Sequence, residues 1–331
     1  KNPIESLNNV TFDGIESLEH LDLSGCQMKF LKNENKSIRF NGIPNLKQLI
    51  LAFNPLEHID TLYFDGIESL EYLDLSGCQI KSFENVTLIG IEQLKTLLLK
   101  INPIENLDTI SINGVNNLEM LDLSYLELRS MNALSSKNLE NLRSLKLNEN
   151  KLNSLTFDLN GFPRLEELDL SYAIYLIPNI YYPINIELFN STNTLRKLIL
   201  IGIELYGRIL KITGANSLEY LDISKVFSLN FSDDRFQICC PKSNTFTIIM
   251  KESEIYNLNP KNFPKNFRLL YDHNRSYLPI VYPIKYLLEL YPARLFYYYQ
   301  YPSYVNLFGV CQNSHLFLVR KFKKNRFYTS I

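Results

Sequence analysis

Leu70-Glu71-Tyr72-Leu73-Asp74-Leu75-Ser76-Gly77-Cys78-Gln79-Ile80 decides the fold. Leucines stand at offsets 0, 3 and 5, Cys at offset 8 and an aliphatic side chain at offset 10. The same spacing starts again at Leu18, Leu46, Leu94, Leu118, Leu142, Leu165, Leu195 and Leu218, and a decayed form starts at Thr245. Intervals between starts are 28, 24, 24, 24, 24, 23, 30, 23 and 27 residues. A period of this length marks a solenoid, in which each repeat covers the core of its neighbours. The first half of each repeat is a short strand. Side chains alternate along a strand, so offsets 3 and 5 point inward and offsets 2, 4 and 6 point outward.

The second half of each repeat returns the chain. A bulky apolar residue recurs six positions before the next leading leucine, as in Phe40, Phe64, Leu88 and Ile112, and glycine recurs four before it, as in Gly42, Gly66, Gly90 and Gly114. Glycine at such a point closes a turn that other residues resist. Thr11–Met28 and Tyr63–Ile80 agree at 15 of 18 positions and lie 52 residues apart, which reads as duplication of a two-repeat unit. Offset 8 alternates in step with it: Cys26, Asn54, Cys78, Asn102. A buried Asn there is expected to bond free backbone groups of the next turn, because buried polar groups need partners. Cys serves as a small, weakly donating substitute.

The pattern L-x-x-L-x-L-x-x-[NC]-x-L resembles the leucine-rich repeat over residues 1–258. The resemblance implies an α/β repeat solenoid, a horseshoe with one curved parallel sheet on its concave face and irregular or short helical convex segments. LDLSGCQI at 73–80 alternates with LILAFNPL at 49–56 and LLLKINPI at 97–104, which resembles the ectodomains of Toll-like receptors. Receptors of that kind bind a ligand or a second receptor chain. Asn2-Pro3-Ile4 matches offsets 8 to 10, so the chain is expected to open inside a repeat of a longer protein. Residues 259–331 read as a worn repeat, a Tyr- and Pro-rich cap and a basic tail. Within them, Tyr301-Pro302-Ser303 and Phe308–Asn313 resemble the segment after the repeats in leucine-rich-repeat G-protein-coupled receptors. Where that family carries a Cys pair, Val305 and Asn306 stand here.

Composition fits a binding scaffold. The 331 residues are 46% hydrophobic with a net charge of -1, so no global field points to nucleic acid. No apolar run reaches the length of a transmembrane helix. No enzyme is expected: His20, His58, His273 and His315 lie far apart in sequence without spaced Cys or acid partners. Asp-x-Ser recurs from Asp22, Asp74, Asp122, Asp169 and Asp222, and a catalytic pair is not repeated five times. No cofactor loop or metal-spaced cluster is present.

Cys26 and Cys78 are core residues by register, whereas Cys239, Cys240 and Cys311 fall off the repeat grid. One of Cys239 and Cys240 would bridge to Cys311 in an oxidising compartment; in a reducing one all five stay free thiols. Asn9, Asn35, Asn85, Asn190, Asn230 and Asn274 head glycosylation sequons. The concave face is the expected contact surface. Ile50, Phe53, Tyr72, Leu98, Ile101 and Tyr125 form its apolar patch, and Asp74 and Asp122 flank it to orient basic groups. Two functions are consistent with these residues: an extracellular or cell-surface receptor-type module binding a protein or peptide, and a cytoplasmic adaptor joining proteins.

Overall fold

The computed structural model describes residues 12–29, 37–56, 61–82, 86–104, 112–129, 138–152, 156–159, 161–173, 184–189, 194–203, 210–213, 216–226, 229–230, 236–238, 246–251, 255–256, 266–272, 305–310 and 315–320. Among them, thirteen strands form one main sheet whose spatial order follows the sequence. The first nine are three residues each, from His20–Asp22 and Gln48–Ile50 to Tyr220–Asp222. Leucine register has become strand register. Leu21 pairs with Leu49, Leu49 with Leu73, Leu73 with Leu97 and Leu97 with Leu121, all in parallel. Phe246–Lys251 and Asn266–Asp272 continue the parallel order, with Ile248 opposite Leu269. Val305–Val310 and His315–Arg320 then add antiparallel.

Behind the sheet lies one continuous apolar core. Leu70, Leu73, Leu75, Cys78, Ile80, Leu88 and Ile91 show that a single repeat sends seven side chains into it. Burying each contributes ~1.5–3 kcal/mol, which offsets the entropy of ordering so much chain. The convex side holds no α-helix among the described residues. It carries short strands instead: Ser37–Arg39, Thr61–Asp65, Val86–Ile89 and Ile112–Asn113 form one sheet, and Thr156–Asp158, Ile184–Phe189, Leu210–Thr213 and Phe236–Ile238 form another. The glycines between these strands and the main sheet are fixed by space as well as by backbone angle. Gly90 and Gly114 have φ of +90° and +87°, and a Cβ on them would stand 2.2 Å from Phe64 O and 1.8 Å from Leu88 O. Three positions before the leading leucines from Leu46 to Leu165, Ile43, Ile67, Ile91, Val115, Leu139 and Phe162 add a further buried column.

A parity problem is solved at offset 7. Strict alternation would turn offsets 3, 5 and 7 inward, yet the core takes 3, 5, 8 and 10. One left-handed residue shifts the phase. Gly25, Phe53, Gly77, Ile101, Tyr125, Glu149, Tyr172, Gly202 and Lys225 all have φ between 52° and 68°. Their N–H groups keep the ladder, as in Phe53 N to Ser76 O at 2.8 Å and Gly77 N to Lys100 O at 2.9 Å. Offset 8 then points in. Asn54 Nδ2 donates to Leu23 O at 2.9 Å and Leu51 O at 2.8 Å, and its Oδ1 accepts from Met28 N at 3.0 Å. Asn102 and Asn150 repeat this set. The partners therefore lie on the preceding turn and the residue's own turn, not on the next turn as expected. The ladder leaves offset-5 carbonyls facing that side, and Asn offers both donors and an acceptor within one short side chain. Cys78 Sγ, buried, donates to Leu51 O at 3.3 Å, and its burial pushes the thiol up to about 12.

Candidate functional site

The recurrent Asp-x-Ser closes a local hydrogen bond just past the end of its strand. Ser76 N donates to Asp74 Oδ1 at 2.8 Å, and Ser24, Ser124, Ser171 and Ser224 do the same to Asp22, Asp122, Asp169 and Asp222. The offset-6 N–H is thereby satisfied within its own repeat. That gives the acids a structural duty. Asp22 is held below the usual carboxylate range by the Ser24 backbone N–H and then its hydroxyl.

Exposure splits the predicted patch. Phe53 is 60% exposed, Tyr125 49% and Ile101 46%, all at offset 7. Ile50, Tyr72 and Asp74 are half-buried. Leu98 and Asp122 show only 7% and 5% of their surface, so they offer a partner little, contrary to expectation. They point outward as alternation requires, but neighbouring strands about 4.8 Å apart let flanking side chains cover them. Tyr172, 39% exposed, extends the offset-7 row. Burial, and then Asp74 and Asp122, raise the Tyr72 phenol. Phe53 and Tyr172 each lie over a glycine of the following repeat. A Cβ on Gly77 would meet the Phe53 ring at 2.6 Å, and one on Gly202 would meet the Tyr172 ring at 2.0 Å.

The opposite rim carries a feature that the leucine pattern conceals. Offset 1 reads Glu19, Lys47, Glu71, Lys95, Glu119, Arg143, Glu166, Arg196 and Glu219. Contacts follow the alternation: Lys47–Glu19 at 2.9 Å, Lys95–Glu71 at 2.9 Å, Arg143–Glu166 at 2.5 Å and Arg196–Glu219 at 3.3 Å. The Lys47 hydrogen bond lowers Glu19, and Glu19 in return raises Lys47. Such exposed pairs add little stability, and they leave this rim close to balanced in charge. Reading each offset down the repeats, rather than along the chain, would have found them. On the face itself, Lys197 Nζ stands 5.6 Å from the Tyr220 ring centroid and 3.0 Å from Glu167 Oε1.

Residues 44–104 and 92–152 match the leucine rich repeat family model. Over these residues the solenoid is built of leucine-rich repeats. Toll-like receptor 3 of Bos taurus is 33% identical over 76 residues, 22% of this chain and 8% of that receptor. Toll-like receptor 3 of Boselaphus tragocamelus is 30% identical over 76 residues, with the same shares. The matched stretch is thus under a tenth of either receptor's length. A leucine-rich-repeat solenoid similar to these ectodomains is a protein-interaction scaffold. Among the described residues no helix is long and apolar enough to cross a membrane. Cys26 and Cys78 are free thiols in the leucine-rich-repeat core. Cys239, Cys240 and Cys311, and the sequons at Asn9, Asn35, Asn85, Asn190 and Asn274, lie outside the described residues. Asn230 closes the strand Leu229–Asn230.

Proposed function

We propose that the chain is the recognition part of a receptor-type extracellular protein, and that a protein or peptide ligand lies across its concave sheet against the offset-7 rim. One observation carries this reading. Left-handed backbone costs a bulky L-residue ~1–2 kcal/mol and suits glycine. Gly25, Gly77 and Gly202 take that option, whereas Phe53, Ile101, Tyr125 and Tyr172 occupy it with large apolar side chains that remain exposed. Ile101, β-branched at φ 59°, is the most strained of the set. An exposed side chain returns little core energy for that strain, and exposed apolar side chains gathered on one rim, Ile101 beside Tyr125 with Phe53 and Tyr172 each one repeat further off, mark a contact surface. The similarity to Toll-like receptor 3 supports the receptor reading, and a second receptor chain is an equally suitable occupant.

Photo-crosslinking tests this. Benzoylphenylalanine is placed at Ile101 on the rim or at Tyr63 on the convex strand Thr61–Asp65. The full chain, displayed on the cell surface, is expected to give discrete protein adducts from position 101 and none from 63. Equal labelling from both positions, or none from 101, sinks the proposal. Sensitivity of the secreted chain to an N-glycosidase checks the extracellular part.

A further inference from the structure

We infer that Phe53, Asp74 and Ser76 form a subsite for an arginine side chain of the protein ligand. The inference deepens the concave-face reading and rests on it. Ser76 is 1% exposed, and its Oγ has no hydrogen-bond partner. Its counterparts behave differently: Ser171 Oγ donates to Asp169 at 2.6 Å, and Ser124 Oγ donates to Asn148 Oδ1 at 2.6 Å. A buried hydroxyl without a partner is costly, and a native instance calls for a reason. Ser76 stands two residues after Asp74 on the same strand face. The next residue, Gly77, lies under the Phe53 ring. The ring is 60% exposed, so side-chain rotation alone can uncover what it shelters.

The chemistry of the three groups selects the ligand. Asp74 offers a carboxylate, only one of whose oxygens is occupied by Ser76 N. Ser76 Oγ offers lone pairs, and Phe53 offers a π face. This set accepts hydrogen bonds and favours a flat cation. Guanidinium has five donors and no acceptor, and it stacks on aromatic rings. The outward positions of the Leu18, Leu46 and Leu70 repeats carry Asp22 and Asp74 but no lysine or arginine. The nearest cation in register is Lys100, at offset 6 of the neighbouring Leu94 repeat, and among the described residues no ion pair joins it to Asp74. Elsewhere on the same face the arrangement is already filled, where Lys197 sits between the Tyr220 ring and the Glu167 carboxylate. Around Phe53 the aromatic ring and the acid are present, and the cation is left for the partner to supply.

The test uses the full chain and acetyl-Leu-Arg-Leu-amide, with the citrulline peptide as a neutral isostere. NMR titration is expected to show saturable shifts at the Ser76 and Gly77 amides with the arginine peptide and none with citrulline. Asp74→Asn should weaken binding about tenfold or more, since a charge-assisted pair is lost. Ser76→Ala should weaken it severalfold while leaving the melting temperature unchanged or higher, because an unpaired hydroxyl is removed. Phe53→Leu keeps a cover on Gly77 but lacks the π face, and it should also bind less. Equal binding of the citrulline peptide, insensitivity to Asp74→Asn, or shifts confined to other repeats would overturn the subsite. Rim crosslinks that persist after such a result would leave the broader reading standing.

Discussion

Replacing Asn102 with alanine tests the internal ladder. The side chain is buried, accepts from Ile80 N at 3.1 Å, and donates to Leu75 O at 3.0 Å and Leu99 O at 2.7 Å. Alanine strands all three groups. Each unpaired buried group costs ~1–3 kcal/mol, and water entering the vacated space returns part, so the expected loss is ~3–5 kcal/mol. Asn102→Cys is the informative control. Cys78 shows that a thiol at this offset still reaches an offset-5 carbonyl. One thiol proton serves one of the two carbonyls, so Leu99 O and Ile80 N are left unpaired, and the expected cost falls only to ~2–3 kcal/mol. A solenoid loses cooperativity along its axis, so a single global melt is a poor measure. Native-state hydrogen exchange at the Ile80 amide, beside urea unfolding, reads the local loss. An alanine cost under ~1 kcal/mol, or a cysteine as damaging as alanine, would refute this role for the Asn102 hydrogen bonds.

Leu73→Ala should cost ~2–5 kcal/mol by leaving a cavity in the core, measured by the same urea titration. Ile101→Gly should preserve or raise the melting temperature, since relief of ~1–2 kcal/mol of left-handed strain meets the entropic cost of glycine; a clear drop would show that Ile101 packs within the solenoid. Asp22 is depressed in the folded state, so its stabilisation is complete above its ordinary value of 3.8 and disappears as pH falls through the folded value. Asp22→Asn should flatten that part of the acid-side stability profile, and a parallel profile would remove the Ser24 contact as its cause. Cys78, with a thiol near 12, should resist iodoacetamide at pH 8 in the native chain while the less buried Cys26 reacts. Mass-spectrometric mapping of equal labelling would contradict this.

Leucine spacing foretold the core because burial there is decided by direction alone. Leu70, Leu73, Leu75 and Ile80 point inward by parity and are covered by the repeats on either side. The convex column that includes Phe64 and Leu88 was legible for the same reason. The binding face was harder to read. Parity says that Leu98 and Asp122 point outward, but it says nothing of the neighbours that cover them. The left-handed row was hinted at by Gly25, Gly77 and Gly202, then masked by Phe53, Ile101 and Tyr125, whose types give no sign of positive φ. The charged rim escaped notice because its rule is opposition between adjacent repeats, whereas a repeat search rewards identity.

That rim makes the number of repeats a matter of odd and even. Deleting the Leu94 repeat alone would set Glu71 beside Glu119, whereas deleting the Leu94 and Leu118 repeats together would set Glu71 beside Arg143. Insertions obey the same arithmetic, and the near-identical blocks 52 residues apart are a two-repeat step. Shortened or lengthened forms of this chain are thus expected to differ by pairs, and an engineer who trims one repeat must also reverse a charge.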